Sequence, residues 1–544
     1  MKKLLAAIVL ATALLSCTNV NQGVGGDFIP TNLKYDFYTA EFDLDELWVY
    51  PVDSLSGYSS RRINFGAIRD DTYGLFSRGC AVTLVPVYKE FNFGTDPKFK
   101  RFKFQAVNDS ISVADPGQAN ILQNVNVYAL TEPLDAKKYY SRTEVKHSLE
   151  RITRGVPVVN GSDSLSFDFT EEFGKHYLNI TNEDMKDFKQ YTKKFPGIYI
   201  TTDDPSGNGG RFNMFQMNIL ELYSGSLLRT DNFAVLYYSG VYNGERRDSS
   251  LMFYYSPLQF QDLDSLLTAK SQPEQFVFNV DYHESDHMTG KAKDKVFIEG
   301  GSGLKPVIPA DEIRRLVNKE IVDRGGDPKT ALISKATIIL PFEFPEDYEK
   351  MYLFPKTLSP TVKISQDTTV AYAGLTDASV STENQGDINR SLCNYSPDIT
   401  HHVQQIIRKV DDPDISKYDI WMLIMWNETT TTTNAEASQM AEYYQQLAYY
   451  SYYNQLYGGG YGGYGYGGYG GYGYGGYGGY GGYGYGYNNY YNYMMMAQYA
   501  SSSATSTTSN SELDKDRYYN CWLNGPEAEG NKPKLKITFA LPRE

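Results

Sequence analysis

Cysteine and histidine are both scarce in this sequence, at four and six residues in a chain of 544. Cys80, Cys393 and Cys521 lie far apart, so they form neither the disulfide framework of a small secreted domain nor a clustered zinc site. An oxidising compartment would permit a Cys393–Cys521 bridge, with Cys80 then a buried apolar side chain. Positive charge is also in deficit: 51 Lys and Arg stand against 65 Asp and Glu, for a net charge of −14. Binding along a phosphate backbone needs clustered Lys and Arg, which argues against nucleic acid as a partner. The same deficit argues against docking on anionic lipid headgroups. Beyond residue 15 no apolar run reaches the roughly 18 residues that a membrane-spanning helix requires.

The N-terminus carries the strongest signal. Met1, Lys2 and Lys3 form a positive start, and Leu4 to Leu15 is an apolar run of signal-peptide length. It ends in Leu14-Leu15-Ser16-Cys17, which resembles the lipobox read by the lipoprotein signal peptidase. The Cys17 thiol would become the thioether that carries the diacylglycerol. The expectation is therefore a signal peptide over residues 1–16, lipidation at Cys17, and a polar Gly/Asn-rich tether over 17–34. Such a chain is anchored to a membrane and does not cross it.

From Tyr35 onward the pattern is that of strands. Segments such as Phe37–Phe42, Ala81–Tyr88 and Val125–Leu130 are β-branched and aromatic, and Gly, Pro, Asn and Asp separate them. Helical periodicity is confined to Asn182–Lys193, Ala310–Asp323 and Thr400–Val410. An order of elements recurs. Each half has a strand (Asn124–Leu130; Ser334–Pro341), an Asp-x-Thr turn opening a helix (Asp168–Thr170; Asp398–Thr400), another strand (Gly197–Asp203; Asp419–Met425), a loop, and a closing strand (Asp231–Tyr238; Pro533–Leu541). The fold expected is mainly β: two jelly-roll-like β-sandwich domains, over 35–250 and 251–544, with a few short helices.

The second domain is interrupted over 429–510 by a low-complexity insertion, with a Gly-Gly-Tyr array from Gly458 to Tyr487. Its counterpart in the first half is expected to be the loop Asp204–Arg229. So much glycine cannot offset the entropy of ordering, so the insertion is expected to be a disordered loop. Repeat expansion of a tolerant loop accounts for the array without any function. An adhesive role, with tyrosine rings stacking on glycans or partner surfaces, is the competing reading.

Few residues suggest chemistry. His283-Glu284-Ser285-Asp286-His287 fits H-E-x-x-H, the pattern in which two histidines one helical turn apart bind zinc and the glutamate activates water. It follows the alternating strand Phe276–Tyr282 and runs into a turn, whereas the chemistry needs a helix. A strand-end turn is therefore expected, and a zinc hydrolase using His283, Glu284 and His287 is the least favoured function. Gly300-Gly301-Ser302-Gly303 lacks the residues of a P-loop or a serine elbow and reads as a turn. Asp203–Gly210 reads as a hairpin turn before it reads as a calcium loop. His401 and His402 open an amphipathic helix and face different ways. Lys98–Phe104 alternates basic and apolar residues as a protected edge strand does. No catalytic residues, metal ligands or cofactors are expected.

Four segments are similar to the outer-membrane lipoproteins of the Bacteroidota grouped as domain of unknown function 4270. Ile63–Gly74 resembles that family's early Gly/Asp turn and Val127–Glu132 its central strand. Val296–Leu304 with Ile333–Ala336 resembles its most distinctive stretch, and Lys534–Phe539 its closing strand. The Gly-Tyr array departs from the pattern. The resemblance implies an outer-membrane location and a largely β fold, with no catalytic residues to carry over. The functional expectation is a non-enzymatic binding or scaffold lipoprotein of the cell envelope, with a glycan or an outer-membrane protein as partner. The alternative is an accessory subunit of an outer-membrane assembly or transport complex. Whether the protein faces the cell surface or the periplasm is open, since Thr18–Gln22 lacks an acidic run.

Overall fold

The computed structural model describes residues 34–134, 140–223, 226–269, 271–366, 369–379, 384–433 and 505–543. Cys17, the signal segment, the tether up to residue 33 and residues 434–504 of the insertion lie outside the described residues. The chain is mainly β, with antiparallel ladders and few, short helices.

The first sandwich packs a large sheet against a five-stranded one. The large sheet runs His147–Arg151, Gln123–Leu130, Ile198–Thr202, Gly74–Val82, Arg62–Asp70, Gly209–Gln216, Asn108–Val113. The other runs Leu165–Asp168, Thr95–Ala106, Ala234–Tyr242, Glu245–Tyr255, Leu84–Pro86. Period-two alternation sends Phe102, Phe104 and Ala106 inward, where they meet Ile63, Phe65, Val125, Val127 and Ile200 of the large sheet. The Lys98–Phe104 segment is an edge only in its first part. Ala234–Tyr242 pairs along it throughout, and Leu165–Asp168 closes the other side from Lys103 onward.

The second sandwich encloses its core between two further sheets. One runs Tyr35–Asp43, Lys534–Pro542, Leu332–Pro341, Asn394–Tyr395, Ile388–Asn389. The other runs Gly290–Lys291, Trp48–Pro51, Leu304–Ile308, Ile420–Thr433, Thr357–Gln366, Thr369–Gly374, with Thr505–Leu513 also pairing to Ile420–Thr433. Helices Ala310–Asp323 and Thr400–Ile407 add Ile313, Val317, Ile321, Val403, Ile406 and Ile407 to this core. The expected Asn182–Lys193 helix is split into a 3-10 turn, Asp184–Lys186, and a helix, Phe188–Lys194. The Asp187 side chain accepts from the Lys189 and Gln190 amides, so it starts a new helix instead of continuing one.

Strand pairing crosses the expected boundary at 250/251 in both directions. Tyr35–Asp43 pairs along its whole length with Lys534–Pro542, and Trp48–Pro51 pairs with Leu304–Ile308. Conversely, Val277–His283 pairs with Gly74–Val82 of the large sheet. The second sandwich thus takes strands from both ends of the chain. Alternation sets which face of a strand is buried and says nothing about which edge it joins, so a linear boundary could not be read from it. The recurring order of elements is likewise not a recurring pairing. Ile198–Thr202 joins Gln123–Leu130, whereas Leu332–Pro341 joins Lys534–Pro542 instead of Ile420–Thr433. Nor is Asp204–Arg229 a loop, because Gly209–Gln216 within it is an interior strand bonded to Arg62–Asp70 and Asn108–Val113.

Candidate functional site: a buried charged junction

The crossing strand Val277–His283 creates a dense buried polar cluster. Its i, i+2 spacing places Asp281 and His283 on one face, and the register sets Asp281 directly opposite Arg78. Strand Lys295–Glu299 delivers Glu299, the turn 300–303 delivers Ser302, and Lys305 is the second residue of strand Leu304–Ile308 beside it. All six side chains are buried.

Arg78 grips Asp281 with two parallel bonds, Nε to Oδ1 at 2.5 Å and Nη2 to Oδ2 at 3.0 Å. Its Nη1 donates to the Asp516 carbonyl at 3.0 Å, and its guanidinium lies 5.2 and 5.1 Å from the ring centres of Phe76 and Phe212. The Ser302 amide donates to Asp281 Oδ2 at 3.1 Å, and the Ser302 hydroxyl lies 3.2 Å from the same oxygen and 3.3 Å from His283 Nε2. His283 stacks on Phe76 with ring centres 4.0 Å apart. Its Nδ1 is 2.9 Å from Glu299 Oε1, an ion-pair distance at which the angle falls short of a hydrogen bond. Ser285 donates to the other Glu299 oxygen at 2.5 Å.

Lys305 turns back on the glycine-rich turn, its Nζ donating to the carbonyls of Glu299, Gly301 and Gly303. Gly300–Gly303 is therefore a turn, as expected, and its carbonyls cradle a cation from its own chain. Gly301 has φ +53°, and a Cβ there would sit 2.6 Å from both Arg78 Nη2 and Asp281 Oδ2. Only glycine fits between the turn and the ion pair.

Burial opposes the charged form of Asp281, yet the Arg78 guanidinium and His283 outweigh it and hold the carboxyl well below the usual range. Burial likewise opposes the imidazolium of His283, but Glu299 and Asp281 prevail and raise its pKa. For Lys305 burial dominates and lowers the ammonium pKa to about 7.

Ser302, His283 and Glu299 stand in the order of a nucleophile, a base and an orienting carboxylate. Sequence reasoning missed this set because its members come from a strand end, another strand and a turn. Ser302 and Glu299 are 0 % exposed and His283 3 %. Their polar atoms face one another and Asp281. These contacts tie strands of the large sheet to the turn that enters the second sandwich.

The H-E-x-x-H residues do not converge. Glu284–Met288 is a 3-10 turn, His283 points into the junction, and His287 Nδ1 lies 2.9 Å from the Glu284 carbonyl. Glu284 accepts from the Leu75 amide at 2.8 Å and from Arg69 at 3.0 Å. Among the described residues no group of three or more His, Cys, Asp or Glu is placed to hold a metal ion. Asp203 is held by Asn126 and Asn124, each at 2.8 Å. His402 is buried against the Tyr418 carbonyl at 2.8 Å, while His401 turns to Gln405. Cys80 is buried, as expected. The Cys393–Cys521 bridge is absent: both thiols are free, Cys521 inside the second core and Cys393 at a left-handed turn position with φ +50°.

Comparison with protein-family models, curated proteins and solved structures finds no match to this chain.

Proposed function

We propose that this chain is a lipid-anchored outer-membrane lipoprotein, serving as a non-enzymatic binding or scaffold module of the cell envelope. Support for the location comes from the N-terminal sequence: a positive start, an apolar run of signal length, and Leu14-Leu15-Ser16-Cys17. The similarity of four segments to Bacteroidota lipoproteins points the same way. A structural use for Ser302, His283 and Glu299 supports the non-enzymatic part, since all three are buried in a network of internal contacts.

One observation carries the binding role. Strand Thr357–Gln366 accompanies Ile420–Thr433 only as far as Met425. From Trp426 to Thr433 the described partner is Thr505–Glu512 alone. A two-stranded ribbon therefore runs on past the sheet and holds both ends of residues 434–504, the segment richest in tyrosine. A loop that merely tolerates insertion has no need of such a stalk. Tyrosine offers a flat apolar face and a hydroxyl, which suits stacking on a sugar ring or a protein surface.

Deletion of residues 434–504, followed by purification in mild detergent, tests the reading. The deleted chain is expected to fold with an unchanged melting temperature and to lose a glycan or protein that the full chain retains. Retention of the same partners by both chains would remove the binding role from the ribbon. A stoichiometric outer-membrane barrel protein held equally by both would establish the accessory-subunit alternative.

A further inference from the structure

At one end of the second sandwich three large apolar side chains remain in solvent: Tyr35, Phe37 and Leu332, at 37, 68 and 39 % exposure. The register places all three together. Phe37 and Leu332 both pair with Ala540, from opposite sides, and Tyr35 is two residues before Phe37 on the same face. The face is the outer one, because the alternate residues Tyr38, Phe539 and Ile333 pack into the core. Further along the same face the residues turn polar: Thr39, Glu41 and Asp43 beside Thr538, Lys536 and Lys534. One face thus has an apolar end and a polar end.

The chain enters at the apolar end, where the Lys34 carbonyl accepts from the Arg543 amide at 2.8 Å. Only residues 18–33 separate this point from Cys17. Fully extended they reach at most about 55 Å, and as a flexible coil they average roughly 20–25 Å. A lipid on Cys17 would therefore keep this end, and no other with the same closeness, beside the bilayer. Arg543 at this end is already engaged with Asp36, and the exposed large side chains of the face are apolar, so the contact is expected to be apolar in origin.

We propose that the apolar end formed by Tyr35, Phe37 and Leu332 docks on the bilayer that holds the protein's own Cys17 lipid. Aromatic rings enter the boundary between headgroups and acyl chains, where an apolar body and a wet edge are both satisfied. A second contact also fixes the orientation of a body that a flexible tether alone would leave free to tumble. The inference rests on lipidation at Cys17.

The test uses the full lipidated chain in phosphatidylethanolamine vesicles, with Cys393→Ser so that no accessible native thiol competes for label. An environment-sensitive probe is placed through Leu332→Cys at the apolar end or Asp43→Cys at the polar end. The probe at 332 is expected to emit further to the blue and to be quenched about twofold more by nitroxide lipids, without change on adding salt. Phe37→Asp should abolish that difference while the protein still floats with the vesicles. Equal quenching at both sites in floating protein overturns the docking and leaves the anchor standing. Probe–probe transfer between copies without lipid quenching overturns it in favour of self-association. Protein that does not float, with an unmodified Cys17 by mass spectrometry, overturns the anchor and the docking together.

Discussion

Around Phe102 the first sandwich is filled with rings: Phe169, Phe253 and Tyr177 have centres 4.7, 5.2 and 5.3 Å away. The second sandwich's core holds many branched aliphatic chains, Ile537 sharing it with Ile338, Leu340, Leu535, Ile420, Ile424 and Ile313. Both enclose the space between two antiparallel sheets, so the architecture does not dictate the filling. The rings of the first core come with a helix, Glu171–Tyr177, whose Phe173 and Tyr177 complete the cluster. The aliphatic core comes with a longer helix, Ala310–Asp323, laid along it. Large rigid side chains need few contributors in tilted or edge-on contact, whereas aliphatic packing spreads the burial over many.

The contrast can be broken most sharply at its centres. Phe102→Ala should destabilise the protein by about 4 kcal/mol, because the surrounding rings cannot collapse into the space. Ile537→Ala, a truncation of the same kind, should cost less, about 3 kcal/mol, because the aliphatic neighbours can partly close the space. Urea unfolding followed by tyrosine and tryptophan fluorescence checks both, and equal losses would show that the cores do not differ in this way.

The charged junction decides whether the two cores behave as one. Asp281→Ala leaves the buried Arg78 guanidinium without its carboxylate, at a cost of about 3 kcal/mol. If the junction couples the sandwiches, the variant should unfold in two steps where the parent unfolds in one, as read by calorimetry. Acid supplies a second readout. The folded pKa of Asp281 lies below its unfolded value, so its contribution is present above about pH 4 and is lost as pH falls toward the folded pKa. The parent should therefore lose more stability between pH 5 and 2 than Asp281→Asn.

The smallest effect concerns Lys305. Its folded pKa, about 7, lies below the unfolded value, so between pH 7 and about 10 the unfolded chain binds more protons. Stability should rise with pH across that window and the rise should flatten in Lys305→Met, as measured by urea midpoints at each pH. An identical slope in both proteins would mean that Lys305 titrates normally.

Several features were legible in the sequence itself. The alternation in Val125–Leu130 and the 3.6-residue pattern in Ala310–Asp323 are local consequences of which side chains must be buried. The turn at Gly300–Gly303 and the buried Cys80 follow from residue type. The junction was not legible. Arg78 and Asp281 are 203 residues apart in sequence, and neither strand carries a mark that names the other. His283 drew attention as half of a metal motif, but its neighbours in space are Phe76, Ser302 and Glu299.

The sequence by itself determined the β character, the helix at 310–323, the glycine turn and the expectation of an anchor at Cys17, because each depends on residues a few positions apart. Tertiary structure alone decided that Tyr35–Asp43 closes against Lys534–Pro542, and that Val277–His283 returns to the large sheet with Asp281 facing Arg78. The reason is physical. Side-chain periodicity fixes the face that leaves water, while the backbone groups along a strand's edge are the same for every residue except proline. The choice of edge is made only when all the strands and their buried charges compete for partners at once.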